Sequence, residues 1–316
     1  MSQVIKLDAI KEALATINGI QLMEEGFAAY SNGKVVVPPV GELTFEDPPG
    51  DVHLKYGYIK QDDYYVIKIA SGFYNNPQIN LPSSNGLMLL FDQKNGQLKA
   101  VLLDEGYLTD IRTALAGAVV AKYMAPKNVS RIGIVGTGIQ GKLQLEFLRS
   151  ICPCRNVLVH ARSEAKGQAY IDHFAGTGFN VAYTLNVNDI PQQCNLIVTT
   201  TPSTIPLIKA EFVQPGTHIT AMGSDTGDKI EVDPKVLGRA DIVVSDSIPQ
   251  SETRGEVFQA VKAGILDKSS VKELGQVINQ PELGRQNDDQ ITVADLTGVA
   301  VQDIQITKAV YESINA

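Results

Sequence analysis

Arg131-Ile132-Gly133-Ile134-Val135 runs straight into Gly136-Thr137-Gly138-Ile139-Gln140-Gly141, and Lys142–Leu148 continues with apolar residues at helical spacing. A β-branched strand, a G-x-G-x-x-G turn and a helix in that succession leave few folds open. The first glycine makes the tight turn and the second lets the backbone approach a pyrophosphate. The third lets the helix pack close to the strand, and the helix N-terminus offers N–H donors to the anion. Alone, the glycines would suit any tight turn; their context decides. Further strand-like runs follow at Asn156–His160, Leu196–Thr200, His218–Met222 and Ile242–Ser245, with a weaker one near Asn180–Tyr183. Helix-compatible stretches separate several of them. This alternation predicts an α/β fold, a doubly wound parallel sheet of Rossmann type over residues 126–295.

The second strand bears on which dinucleotide is bound. An acidic residue at its carboxyl end would hold the ribose 2′-hydroxyl, whereas an arginine there accommodates a 2′-phosphate. Here Asn156–Val159 leads into His160-Ala161-Arg162-Ser163, and no carboxylate appears before Glu164. Arg162 can pair with a phosphate and Ser163 can donate to it. The competing reading is a solvated loop arginine. The expectation is NADP(H), with NAD(H) as the alternative.

The chain has 316 residues, 44% hydrophobic and 20% charged, which suits two domains rather than one core. Its net charge is −8 and no Lys/Arg block stands out, so a nucleic-acid partner is not expected. Residues 1–8 hold no apolar signal core, and no uncharged run reaches the roughly 20 residues of a bilayer span. The expected location is the cytoplasm, with no membrane partner. Three cysteines, Cys152, Cys154 and Cys194, do not make a disulfide framework. Cys152-Pro153-Cys154 is too narrow a pair for a structural zinc site, and no metal is expected.

The first 125 residues have a different texture. Leu7–Tyr30 reads as one or two helices, and Asp51–Ile59, Tyr64–Ala70, Gly86–Asp92 and Leu98–Leu103 read as short strands with turns such as Lys94-Asn95-Gly96 between them. An α+β domain follows, with the linker near Ala125–Asn128. The helix-like stretch Asp295–Ile314 returns to it, so the expected partition is 1–125 with 296–316 against 126–295. Three charged residues sit where packing alone would not place them. Lys68 shares a strand face with Val66 and Ala70, either solvated or directed into a pocket. Arg112 shares a helix face with Leu108, Leu115 and Val119 and therefore needs a partner, a ligand or else a structural ion pair, since an unpaired buried charge is very costly. Asp225 follows the strand His218–Met222, at the end of a parallel strand where ligands bind, or else is a simple loop aspartate.

Taken together these segments resemble the ornithine cyclodeaminase/μ-crystallin family over nearly the whole chain. The resemblance rests on Val66-Ile67-Lys68-Ile69-Ala70-Ser71-Gly72, on Asp104–Ala114 with its Leu108-Thr109-x-x-Arg112-Thr113-Ala114 core, on the Gly136–Gly141 turn, and on Gly223-Ser224-Asp225-Thr226-Gly227-Asp228-Lys229-Ile230-Glu231. It implies that Lys68 and Arg112 hold a substrate carboxylate, and that Asp225 contacts the substrate nitrogen and handles a proton. It also implies that Thr113 and Gly298 line the nicotinamide side, and that two copies pair through the first domain's sheet. One departure matters. Ornithine cyclodeaminases carry a further arginine in the segment matching Gly41-Glu42-Leu43-Thr44-Phe45, and this chain has none there. Slightly downstream, His53 and Lys55 alternate and so place two basic groups on one strand face. The leading expectation is a reductase of a small imine-2-carboxylate, with Δ1-pyrroline-2-carboxylate to L-proline as the first case. The alternatives are ornithine cyclodeamination, alanine dehydrogenase or iminosuccinate reductase activity, and a non-enzymatic dinucleotide-regulated binding protein. The expected partners are a small imine or amino acid and a second copy of the chain.

Overall fold

A computed structural model describes residues 2–73 and 75–316. It divides into one unit of residues up to Thr113 with Val299–Ala316, and a second of Ala114–Gly298. The division falls inside a helix, not in the loop at Ala125–Asn128, and at 298/299 rather than 295/296. The cause is that this helix is apolar nearly all round: Leu108, Ala114, Leu115, Ala118, Val119 and Met124 are all buried, so no change of pattern marks the boundary.

The first unit begins with β1 (Gln3–Lys6), α1 (Leu7–Leu14) and α2 (Gly19–Ser31), then β2 (Val35–Val36), β3 (Gly41–Glu46), β4 (Pro49–Ile59), β5 (Tyr64–Gly72), β6 (Ser84–Asp92) and β7 (Leu98–Leu103). These form a sheet in the order β1-β7-β6-β5-β4-β2, with β3 also on β4. β1 to β3 are strands beyond the four expected. The register places Lys55 opposite Lys68 and Lys68 opposite Met88, so Lys55, Val66, Lys68, Met88, Leu90, Ala100 and Leu102 share the inner face. The C-terminal helix, Ala300–Asn315, packs on β4, β5 and β6 and covers that face. β7 then turns into α3 (Tyr107–Met124) through Glu105 and Gly106, whose φ angles of 56° and 87° are both left-handed. Asp104 Oδ2 accepts from the Leu108 N–H at 2.8 Å and satisfies one orphan donor of the first helical turn.

The second unit continues with β8 (Ile132–Val135), α4 (Ile139–Leu148), β9 (Asn156–His160), α5 (Glu164–His173), β10 (Asn180–Thr184), α6 (Asp189–Gln193), β11 (Leu196–Thr199) and β12 (His218–Ala221). It closes with α7 (Pro234–Arg239), β13 (Ile242–Ser245), α8 (Gly255–Lys262), β14 (Lys272–Glu273), α9 (Leu274–Asn279) and β15 (Thr292–Asp295). The order is β10-β9-β8-β11-β12-β15-β13-β14 and every pairing is parallel. β8, β11, β12 and β15 are buried at every position, the signature of a sheet covered on both faces. The fold is α/β with a Rossmann sheet. The two-residue β14 and, more consequentially, β15 are strands the sequence pattern did not show. β15 is the one that reorders the sheet. It inserts between β12 and β13, so the helix expected from Asp295 begins only at Ala300. Among the described residues no helix is long and apolar enough to cross a membrane, and no group of three or more His, Cys, Asp or Glu could hold a metal ion.

Candidate active site

The strand order reverses between β8 and β11, where connections leave the carboxyl ends of neighbouring strands in opposite directions. A crevice opens at such a switch point. Here it is a cleft of about 540 Å³ lined by Gly136, Thr137 and Gly138 after β8 and by Thr200, Thr201 and Ser203 after β11. The glycines have separable roles. Gly136 has φ of 115°, a conformation side chains rarely adopt. A Cβ on Gly141 would run into the Gly136 carbonyl, whereas Gly138 faces open space. The turn is therefore a cradle left clear for an anion at the start of α4, and a dinucleotide pyrophosphate fits it. Ile139, 54% exposed, and Gln140 open that helix.

At the adenosine end of such a ligand, the tip of β9 supplies His160 and Arg162, and α5 supplies Lys166. Lys142, from α4, also lines the cleft. Sequence reading had found Arg162 alone among these cations. Lys142 and Lys166 lie on solvated helix turns, where nothing in a single sequence distinguishes them. Ser163 caps α5, its Oγ accepting from the Lys166 N–H at 3.4 Å.

Asp225 lies in the loop after β12. Lys229 Nζ donates to its Oδ1 at 2.6 Å, and Arg254 Nη1 donates to its main-chain carbonyl at 3.3 Å. Buried carboxylates pin that loop at both feet. Glu231 accepts from Thr201 N at 2.6 Å and Thr199 Oγ at 2.7 Å, and from Gly223 N at 2.8 Å. Glu256 accepts from Ser224 Oγ at 2.5 Å and from the N–H groups of Glu231 and Val232. Burial pushes both carboxyls up to about 7, against those hydrogen bonds. Gly298, with φ of 81°, donates its N–H to Asp246 Oδ2 at 2.7 Å, and Asp246 Oδ1 accepts from Thr297. Glu256 and Asp246 were not singled out from sequence. A lone acidic residue near a strand end carries no signal of its burial.

In the first unit, Lys68 and Arg112 come together on a residue that sequence reading missed. Asp303, on the C-terminal helix, approaches Lys68 Nζ at 3.4 Å and Arg112 Nε at 3.0 Å. The three side chains are 2%, 6% and 1% exposed. Arg112 Nη1 also donates to Gln302 Oε1 at 3.2 Å. The expectation that Arg112 needs a partner thus meets Asp303. Burial pushes the Lys68 ammonium down to about 7; the neighbouring Arg112 and Lys55 push the same way, and Asp303 pulls it back. Lys55 is buried beside Lys68 on the same face, and His53 is half-buried one pleat further along. Thr113, one residue beyond Arg112 in α3, is half-buried. Two like charges directly across a ladder are unfavourable by themselves.

The model of the ornithine cyclodeaminase/mu-crystallin family matches residues 2–316. The chain belongs to that family. Among its relatives, an uncharacterized cyclodeaminase of Sinorhizobium fredii is 37% identical over 99% of this chain and 93% of its own length. A Δ1-pyrroline-2-carboxylate reductase of Bacillus cereus is 30% identical over 90% of this chain and 87% of its own. Among solved structures, an archaeal alanine dehydrogenase dimer with bound NAD superposes with a TM-score of 0.91 at 32% identity, covering 99% of this chain and 96% of that one. The family member described here is a nicotinamide-dependent oxidoreductase acting on the carbon–nitrogen bond of imino or amino acids.

Proposed function

We propose that the protein is an NADPH-dependent reductase of a small imine-2-carboxylate, with Δ1-pyrroline-2-carboxylate to L-proline as the leading case. The observation that carries this reading is the buried Lys68–Arg112 pair, two cations gathered on one carboxylate and suited to take a second. A substrate carboxylate held there is fixed in orientation, and fixing the reacting groups removes much of the entropic barrier. When bound, NADPH supplies the hydride that reduces the imine carbon. Asp225 relays one proton from solvent to the imine nitrogen and then, as a carboxylate, stabilises the resulting cationic C=N–H+; hydride addition at carbon converts that cation to the secondary amine. The test is a panel of cyclic imine acids, iminosuccinate, and pyruvate with ammonia, followed by NADPH oxidation. Δ1-Pyrroline-2-carboxylate should be reduced fastest; no oxidation with any imine would end the proposal. L-Ornithine with catalytic NAD+ is the control for the cyclodeaminase alternative, which releases ammonia without net cofactor change. A reductase drawing on NADPH works where that cofactor is regenerated, and we assign it to the cytoplasm.

The cofactor preference rests on Arg162, Lys142 and Lys166 around one cleft, three cations that match a ribose phosphate better than a hydroxyl. Arg162→Asp should turn the ratio of kcat/KM for NADPH over NADH toward NADH by about tenfold or more, the scale of one charged hydrogen bond. A wild type that already prefers NADH, or an unmoved ratio, would contradict it.

The assembly we propose is a homodimer through the outer face of the first unit's sheet. An antiparallel sheet with one wet face alternates apolar and polar residues, but here the outer face is apolar as well. Tyr56, Ile67, Leu89 and Val101 stand opposite one another across β4, β5, β6 and β7, Leu43, Val52 and Leu103 lie on the same face, and Leu43 is 56% exposed. A patch of that kind on a folded chain marks an interface. Leu89→Arg should convert the dimer seen by sedimentation velocity to a monomer while leaving the inner face intact. A wild type that sediments as a monomer refutes the assignment.

A further inference from the structure

Asp303 presents a puzzle of its own. A site built to bind a carboxylate contains a buried carboxylate, and that group makes no well-aligned hydrogen bond: both of its oxygens, and Arg112 Nε, lack a hydrogen-bond partner among the described residues. The approaches of 3.4 Å to Lys68 and 3.0 Å to Arg112 are therefore charge–charge contacts with poorly directed hydrogens. Asp303 neutralises without taking up the donors, and those donors remain for a ligand.

We propose that Asp303 is the positioning residue of the carboxylate clamp: it draws the Lys68 ammonium and the Arg112 guanidinium together from β5 and α3 and keeps both charged while their N–H groups stay available to an incoming carboxylate. This rests on the reading of Lys68 and Arg112 as that clamp. The charged groups around Lys68 are Lys55 from β4, Arg112 from α3, Asp303 from the C-terminal helix and, from the turn before α3, Asp104, whose own carboxyl is raised by burial. Two of these neighbours oppose the ammonium, and so does desolvation. Asp303 is the carboxylate in direct contact with it. Without Asp303, Lys68 escapes the conflict by losing its proton, as buried amines do.

The consequence has a definite sign. Lys68 titrates near 7, so carboxylate affinity is full below that pH and falls as pH rises through it. Removing Asp303 moves the fall to lower pH. The experiment titrates the NADP+-loaded enzyme with L-proline and, separately, with acetate between pH 5.5 and 9, for the wild type, Asp303→Asn, Asp303→Glu and Lys68→Gln. The wild type should lose about tenfold in affinity per pH unit above the break, as expected for one required proton. Asp303→Asn should shift the break down by about one unit or more, with affinity at pH 5.5 closer to wild type than at pH 8, and Asp303→Glu should restore part of the shift. Lys68→Gln should have no such break. A uniform loss at every pH with the break unmoved would make Asp303 merely structural and overturn the proposal. Failure of the wild type to bind either carboxylate at any pH would remove the clamp itself, and this proposal with it.

Discussion

Arg112→Lys should lower kcat/KM by about 10²-fold or more, on the order of 2.7 kcal/mol of lost transition-state stabilisation, while NADPH affinity and the cooperative unfolding transition stay close to wild type. The substitution keeps the charge that Asp303 requires, so no buried carboxylate is abandoned. What disappears is geometry. The guanidinium touches Asp303 through Nε and Gln302 through Nη1, at 3.0 Å and 3.2 Å, and still has donors left in a rigid plane. A lysine offers one compact ammonium that must choose between Asp303, Gln302 and the substrate. Because the site is only 5% exposed at Arg112, water cannot replace the missing donor cheaply. Steady-state kinetics with the imine found active in the panel, alongside a fluorescence titration of NADPH, make the measurement. Near-normal kcat/KM in a folded variant would show that Arg112 serves packing alone.

Much of the second unit was legible because its strands are continuous β-branched runs and its first turn carries glycines with distinct duties. β15 was not. Thr292-Val293-Ala294-Asp295 is four residues long and ends in an acidic residue that suggests a helix start, yet Asp295 is buried and accepts from the Val257 N–H at 2.9 Å. Tertiary contact decides there, and no local pattern reports it. The division inside α3 was hidden for the converse reason, since a helix buried all round carries one pattern from end to end. Asp303 was visible in principle. At helical spacing it lies with Ala300, Ile306 and Val310, all buried. An aspartate on one apolar helix face and an arginine on another each require a partner, and pairing them would have located the contact between Arg112 and Asp303. The carboxylates Glu231 and Glu256 offered less, because most of their partners are main-chain N–H groups that any residue supplies, and the rest are hydroxyls of Thr199, Thr201 and Ser224 that carry no charge to be matched.

The remaining prediction separates imine chemistry from dinucleotide binding. Asp225→Asn should fold, bind NADPH normally, and lose roughly 10² to 10⁴ in single-turnover hydride transfer, the range expected when a positioned proton-transfer group is removed. The structure makes this a clean substitution. The loop is held by Glu231 on Gly223 and by Glu256 on Ser224, neither of which involves the Asp225 side chain. An asparagine carbonyl can still accept from Lys229, which donates to Oδ1 at 2.6 Å. The shape therefore stays, and what is lost is the negative charge and the proton relay that the proposed reaction requires. A weakly basic imine depends on the enzyme for its proton more than a strongly basic one does, so the loss should be larger for the weaker base. Rising pH slows the wild type in any case as the imine deprotonates, so a pH profile alone does not identify the donor. Comparing two imines of different basicity in one variant does. An equal and small effect on both would mean that Asp225 only shapes its loop, and the proton would then have to come from Lys68 or from water.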